Sequence, residues 1–393
     1  MSADHGESSL AAPLILLVSA ILGFIISNSS GADAYFSALH APILFSVAHF
    51  DIIDKSLLHI VNDGLMAVFF LLIGLELKRE IIIGELSDLR QAALPIFAAI
   101  GGMVVPALLY FVLNPQGEAA QGWGIPMATD IAFAMGVLAF LGSRVPSSLK
   151  ILLAAIAIVD DLGAIIVIAL FYTSQIKMAY LGYAGICFGT CIVMNRLGVM
   201  KLSLYLLVGL PLWYFMLKSG VHATIAGVLL AATIPLAPKS HNAEKLINSI
   251  LSSEASPLDS PAVFLEKSLL PWIGFLIIPI FAFCNSGVPL GAIEFTNVSF
   301  GVILGLVVGK PLGVVGAAFL ANTLKIASLP KGVSLKEILG VGCLAGIGFT
   351  MSLFVTSLAF SHDALVDQAK LAIILASTTS GFLGVLILAR PKS

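Results

Sequence analysis

The chain has 393 residues, 59% hydrophobic and 11% charged, with a formal net charge of −2 and a mean hydropathy of +1.05. Soluble domains carry about 25% charged and about 45–50% apolar residues, so this balance excludes an ordinary soluble fold and a disordered chain and describes a polypeptide whose exterior faces lipid. With no bulk basic field, nothing points to nucleic acid as a partner.

Residues 1–10 hold Asp4 and Glu7 and neither Lys nor Arg. That is the wrong charge for a cleavable signal, and the first apolar run is expected to remain as an anchor. A spanning helix takes about 20 mainly apolar residues. Twelve runs qualify, at roughly 11–27, 56–77, 92–113, 122–142, 149–173, 178–194, 202–217, 221–237, 265–287, 297–324, 337–357 and 369–389. Backbone groups in lipid must be bonded internally, so these runs are expected as helices. The expectation is an all-α membrane protein, one integral domain over 1–393, whose longest connections are 28–55 and 238–264. With both termini on one side, fifteen of the twenty Lys and Arg fall on that side, among them Lys78, Arg90, Lys239, Lys245, Lys331, Arg390 and Lys392. Only Lys55, Lys177, Lys218 and Lys370 fall on the other. The excess of basic residues marks the cytoplasmic face, so both termini are expected there.

In chain order, 42–54 (PILFSVAHFDIID) is too short and polar to span. It reads as an extracytoplasmic hairpin that pairs subunits, or as an irregular loop. Asp63, early in the second run, lines a vestibule or caps a helix. At the far end of that run Glu76, Lys78, Arg79 and Glu80 cluster, and Glu266 and Lys267 open the ninth run on the same side. These are interfacial charges that set topology, or a cation funnel and pH sensor. In the fourth run, Pro126 removes a backbone donor while Gly122, Gly124 and Gly136 weaken the helix, so a break is expected at Thr129 and Asp130. Cys187 and Cys191, at i and i+4, are poorly placed for a disulfide; with Cys284 and Cys343 they read as small buried hydrophobes. His222 opens the eighth run as a packing residue or a titrating one.

Ionisable groups deep in a bilayer cost about 2.5–3.5 kcal/mol each on insertion scales and persist where function or pairing compensates. Asp160 and Asp161 lie about eleven residues into the fifth run, near mid-membrane at ~1.5 Å per residue. Adjacent helical side chains diverge by only ~100°, so both reach one cavity. Two close carboxylates do not both ionise cheaply, and their protons belong to the pair. Deprotonated, the pair is a hard oxygen site for a small cation; protonated, it repels one. Lys310, mid-span in the tenth run between Gly309 and Pro311, is the natural counter-charge, as a structural partner, a proton carrier or a latch that cation binding releases. The eleventh run carries a second interruption at Gly346 and Gly348, followed by Thr350 and Ser352. Two interrupted segments in corresponding halves point to a transporter site. Runs 3–5 and 10–12 then form inverted repeats in which runs four and eleven cross. Asp130 would offset two positive helix N-termini and Lys310 two negative C-termini.

FFLLIGLELKRE, ATDIAFAMGVL, AIVDDLGAI, HATIAGVLL, VVGKPLG and GIGFTMSLF occur in that order along nearly the whole chain, and through them it resembles the NhaA sodium/proton antiporters. The resemblance implies twelve spans with crossed discontinuous helices four and eleven, and a homodimer formed through the segment before the second span, in a bacterial inner membrane. It implies electrogenic export of Na+ or Li+ against H+ for sodium and pH homeostasis, at a site of Asp160, Asp161, Asp130, Thr129 and Lys310. Asp160 and Asp161 would hold the transported Na+. It links Glu76, Arg79, Glu80, His222 and Glu266 to pH response, and calls for no cofactor. The stretch 263–273 holds no histidine, where some members have them.

Another transporter reading is a proton-coupled carrier of an organic anion, with Lys310 holding a carboxylate. Three central Asp against one Lys argue for a cation instead. An intramembrane aspartyl protease needs two aspartates on separate helices in YD and GxGD contexts. Here the pair is contiguous and Asp130 follows Thr129, so no enzyme is expected.

Overall fold

The computed structural model describes residues 4–47, 50–173, 176–236, 260–290, 294–330 and 333–389. Most of the connection 238–264 lies outside these, as do Lys239, Lys245, Lys331, Arg390 and Lys392. Among the described residues the chain is mostly helical: α1 Asp4–Ile26, α2 Ala32–His40, α3 Leu57–Ile83, α4 Leu89–Leu113, a 3₁₀ segment Glu118–Met127, α5 Ile131–Leu141 and α6 Ser147–Phe171. There follow α7 Met178–Arg196, α8 Leu202–Ser219, α9 Ile225–Thr233, α10 Pro261–Asn285, α11 Asn297–Thr323, α12 Leu335–Ala345, α13 Phe349–Ala359 and α14 Asp363–Leu388. Strands β1 Pro42–Val47 and β2 Phe50–Ser56 pair antiparallel from Pro42↔Ser56 to Val47↔Phe50, with an irregularity after Phe45. The connection 28–55 thus holds a short helix and a hairpin.

Among the described residues, nine helices are long and apolar enough to cross a bilayer, and α12 with α13 makes a further pair bent by 49°. α1 contributes a shorter apolar stretch, Ala11–Ile26. The run at 221–237 departs from expectation. It holds only the nine residues of α9, ~14 Å at 1.5 Å per residue, about half the hydrocarbon thickness. Its limits are local: Gly220 takes a left-handed conformation (φ 87°) that closes α8, Val221–Thr224 is not helical, and Ile234 is extended before Pro235.

Two spans accommodate proline by widening a turn. A π turn at Ile273–Ile277 precedes Pro279, and another at Gly305–Gly309 precedes Pro311. The extra residue relieves the clash of the ring with the carbonyl four residues back. A third, Val61–Leu65 in α3, has the Asp63 carbonyl diverted to the Trp213 indole N–H at 3.0 Å.

The chain divides into two compact units. The first comprises 1–37, 88–167 and 282–393. In it α4 packs on α11 with almost nothing between the backbones: a Cβ on Gly101 would run into the Gly313 carbonyl, and a Cβ on Gly313 into that of Gly101. The second comprises 38–87 and 168–281. Its core is Leu71, Leu75, Tyr205, Leu212, Met216 and Leu230, from α3, α8 and α9. Outward apolar side chains such as Phe140 at 75% and Leu210 at 68% exposure suit a surface solvated by lipid.

Candidate functional site

The fourth run is interrupted where expected. The 3₁₀ segment ends at Met127, Ala128 and Asp130 are extended, and α5 begins at Ile131. The interruption in the eleventh run falls at Gly346–Gly348, between α12 and α13. Both lie in the first unit and satisfy each other's freed backbone groups. The Asp130 N–H donates to the Ile347 carbonyl at 2.7 Å, and the Ser352 hydroxyl to the Ile125 carbonyl at 2.7 Å. This removes the cost of irregular backbone at membrane depth.

Asp130 is a double N-cap. Its Oδ1 accepts the Phe133 N–H at 3.0 Å, in the first turn of α5. Its Oδ2 accepts the Thr350 N–H at 3.0 Å and hydroxyl at 2.6 Å, in the first turn of α13. Two helix N-termini thus converge on one carboxylate. The Ser377 hydroxyl of α14 takes the neighbouring Phe349 N–H at 3.2 Å.

Asp160 and Asp161, in mid-α6, are both buried at 1% exposure. Lys310, 0% exposed, places its ammonium 2.6 Å from Asp160 Oδ2 and also donates to the Met127 carbonyl. The Thr129 hydroxyl stands 2.8 Å from the same Asp160 Oδ2 and 2.8 Å from the Ala345 carbonyl. Asp160 Oδ1 has no hydrogen-bond partner among the described residues. Thr129, Asp130, Asp160 and Lys310 are therefore linked through the two interruptions. Lys310 donates to the Met127 carbonyl at one helix C-terminus, and the Thr129 hydroxyl meets the Ala345 carbonyl at the other.

The residues linked to pH response all belong to the second unit. Arg79 Nε contacts both Glu266 carboxylate oxygens at 3.0 and 3.1 Å, and its Nη1 lies 2.7 Å from Glu80. Glu76 interacts electrostatically with Glu266, Arg79 and Glu80. Lys78 caps the end of α9, donating to the carbonyls of Ala232 at 2.9 Å and Ile234 at 2.5 Å. His222 Nε2 meets the Tyr172 carbonyl, and Asp63 is the acid that interacts with it electrostatically. The four cysteines are free thiols, in no disulfide.

The family described as Na+/H+ antiporter 1 matches residues 5–388. A curated relative named Na(+)/H(+) antiporter NhaA, from Escherichia coli O1:K1 / APEC, is 47% identical over 386 residues, 96% of this chain and 95% of its own length. Its namesakes from Escherichia coli O139:H28 (strain E24377A / ETEC) and Shigella sonnei (strain Ss046) are 48% and 47% identical over the same extents. The chain belongs to the Na+/H+ antiporter 1 family.

Proposed function

We propose that the protein is an electrogenic antiporter of a bacterial inner membrane, exporting Na+ or Li+ in exchange for H+, with cation and protons contending for Asp160 and Asp161. The observation that carries this reading is the state of Asp160: buried, one oxygen held by Lys310 and Thr129, the other without a partner. Deprotonated, the two adjacent acids offer hard oxygens; hydroxyl and carbonyl groups at the interruptions and water complete the shell of a small cation. Two acids releasing two protons for one Na+ make the exchange electrogenic. A cation at Asp160 weakens the hold of Lys310, and one proton returning to each of the two acids expels it. Proton flux in proteoliposomes driven by Na+, Li+ or K+ across pH tests this. Response to Na+ and Li+ with none to K+ is expected; transport of an organic anion with no cation response would replace the reading.

We read α1 and α9 as short spans, bringing the total to twelve with both termini cytoplasmic, and the two interrupted spans as crossing at their breaks. The hydrogen bonds between the breaks support the crossing. The reciprocal approach of Gly101 and Gly313 supports inverted repeats over spans 3–5 and 10–12, since a two-fold relation between α4 and α11 makes those positions equivalent.

The Glu76, Arg79, Glu80, Glu266 and His222 group is read as the pH-responsive part, since carboxylates gathered around one arginine exchange charge as pH changes. Glu76→Gln and His222→Asn are each expected to displace the pH–activity profile by about half a unit or more. Profiles superimposable on wild type would remove those residues from the response. The β1–β2 hairpin is read as the contact of a homodimer. Replacing 43–55 with a short Gly/Ser linker is expected to give monomers by native mass spectrometry in detergent, with exchange retained. Persistent dimers would assign the contact elsewhere.

A further inference from the structure

Glu118 opens the 3₁₀ segment, and its carboxylate collects three contacts from the turn between α13 and α14. Oε1 accepts the Ser361 N–H at 2.5 Å and the His362 N–H at 3.2 Å. Oε2 meets the Nδ1 of the His362 ring, whose side chain is 77% exposed. From Glu118 the 3₁₀ segment runs to Met127, whose carbonyl takes the Lys310 ammonium. From this turn α13 runs back to Phe349 and Thr350, and Thr350 holds Asp130. The two half-helices are therefore joined at both ends, by the hydrogen bonds of the interruptions at one and by a single carboxylate at the other.

We propose that Glu118 and His362 are positioning residues for the exchange: a proton-sensitive clasp that sets the placement of Met127, Thr129 and Asp130, so that pH on their face of the membrane tunes cation affinity. A histidine changes charge between about pH 5 and 8. Protonated, His362 presents an N–H from either ring nitrogen and a positive charge to Glu118. Neutral, it presents an N–H at Nδ1 in only one of two tautomers. The charged ring holds Glu118 more tightly than the neutral one. Charges that bear on His362 from neighbouring elements are Glu118 itself, Asp363 beside it and Asp367 one turn further along α14. Segment 294–296, tied to Gln368 by the Thr296 hydroxyl at 2.6 Å, adds Glu294. Lys370, further along α14, interacts electrostatically with Asp363 and Asp367, so Glu118 is the charge that His362 contacts directly.

The test uses the full chain in proteoliposomes, with half-saturating Na+ measured while pH is changed on one face and held on the other. Competition of protons with Na+ at the buried acids is common to wild type and variants and drops out of their comparison. Exposed charge pairs are weak, so the part owed to the clasp is expected at about two- to fivefold in half-saturating Na+, on one face only. His362→Gln and Glu118→Gln should each remove that part with maximal rate little changed, and the double variant should go no further than either single one. Full retention of the one-sided pH dependence in His362→Gln would overturn the proposal. So would effects of the two substitutions that add independently, or variants that lose thermal stability while keeping the wild-type pH dependence, the mark of a mere cap.

Discussion

Asp160→Asn is expected to abolish Na+-driven proton movement and also to destabilise the protein, whereas Asp161→Asn abolishes movement with less loss of stability. Asparagine keeps the shape of the side chain but neither releases a proton nor supplies a full negative charge. Either substitution therefore leaves one acid where the proposed exchange uses two, and exchange should fall by at least a hundredfold, the order of a lost charge-stabilising group. The difference lies in Lys310. Asp160→Asn removes the 2.6 Å ion pair and leaves a fully buried ammonium without its counter-charge, a loss of about 3–5 kcal/mol in comparable buried pairs. Asp161→Asn leaves that pair in place. Thermal unfolding in detergent should separate the two variants, and adding Lys310→Met to Asp160→Asn should restore much of the lost stability by removing the stranded charge. Full exchange in either single variant would refute the role of the acids. Equal stability of the two would refute the weight given to the ion pair.

Gly313→Val and Gly101→Val are expected to prevent accumulation of folded protein. At these positions the backbones of α4 and α11 touch, and an added Cβ on Gly313 would lie inside contact distance of the Gly101 carbonyl. A side chain yields by changing rotamer; a helical carbonyl yields only if the helix moves. The cost should exceed the ~4 kcal/mol that marks severe substitutions. Gly182→Val in α7 is the control, because a Cβ there meets nothing within 4 Å. Size-exclusion profiles of expressed variants check this. A monodisperse, wild-type-like Gly313→Val would show that the two helices have room to separate.

Charges in apolar sequence are conspicuous, so Asp130, Asp160, Asp161 and Lys310 were legible at once. The interruptions were legible too, because Pro126 and the paired glycines weaken a helix by rules that act within a few residues. The length of α9 was misread, although Gly220 and Pro235 bracket it: a hydropathy window counts apolar residues and ignores the turns that stop a helix. What stayed out of reach was pairing across the chain. Nothing local tells that Thr129 faces Ala345, or that Lys78 caps α9 rather than joining the acids beside it. Glu118 and His362 are 244 positions apart and read separately as ordinary loop residues. Burial makes a residue conspicuous by its cost, whereas a contact between exposed groups leaves no trace in either segment.

The Thr129 hydroxyl has two acceptors at equal distance and only one hydrogen. While Asp160 is anionic, that hydrogen is drawn to the carboxylate and the Ala345 carbonyl goes without it. Were Asp160 to take a proton or a metal ion, as proposed above, the attraction would fall and the hydrogen would swing to Ala345. The last carbonyl of α12 would thus register the proposed loading of an acid on another helix through the rotation of a single C–O bond, with no helix displaced.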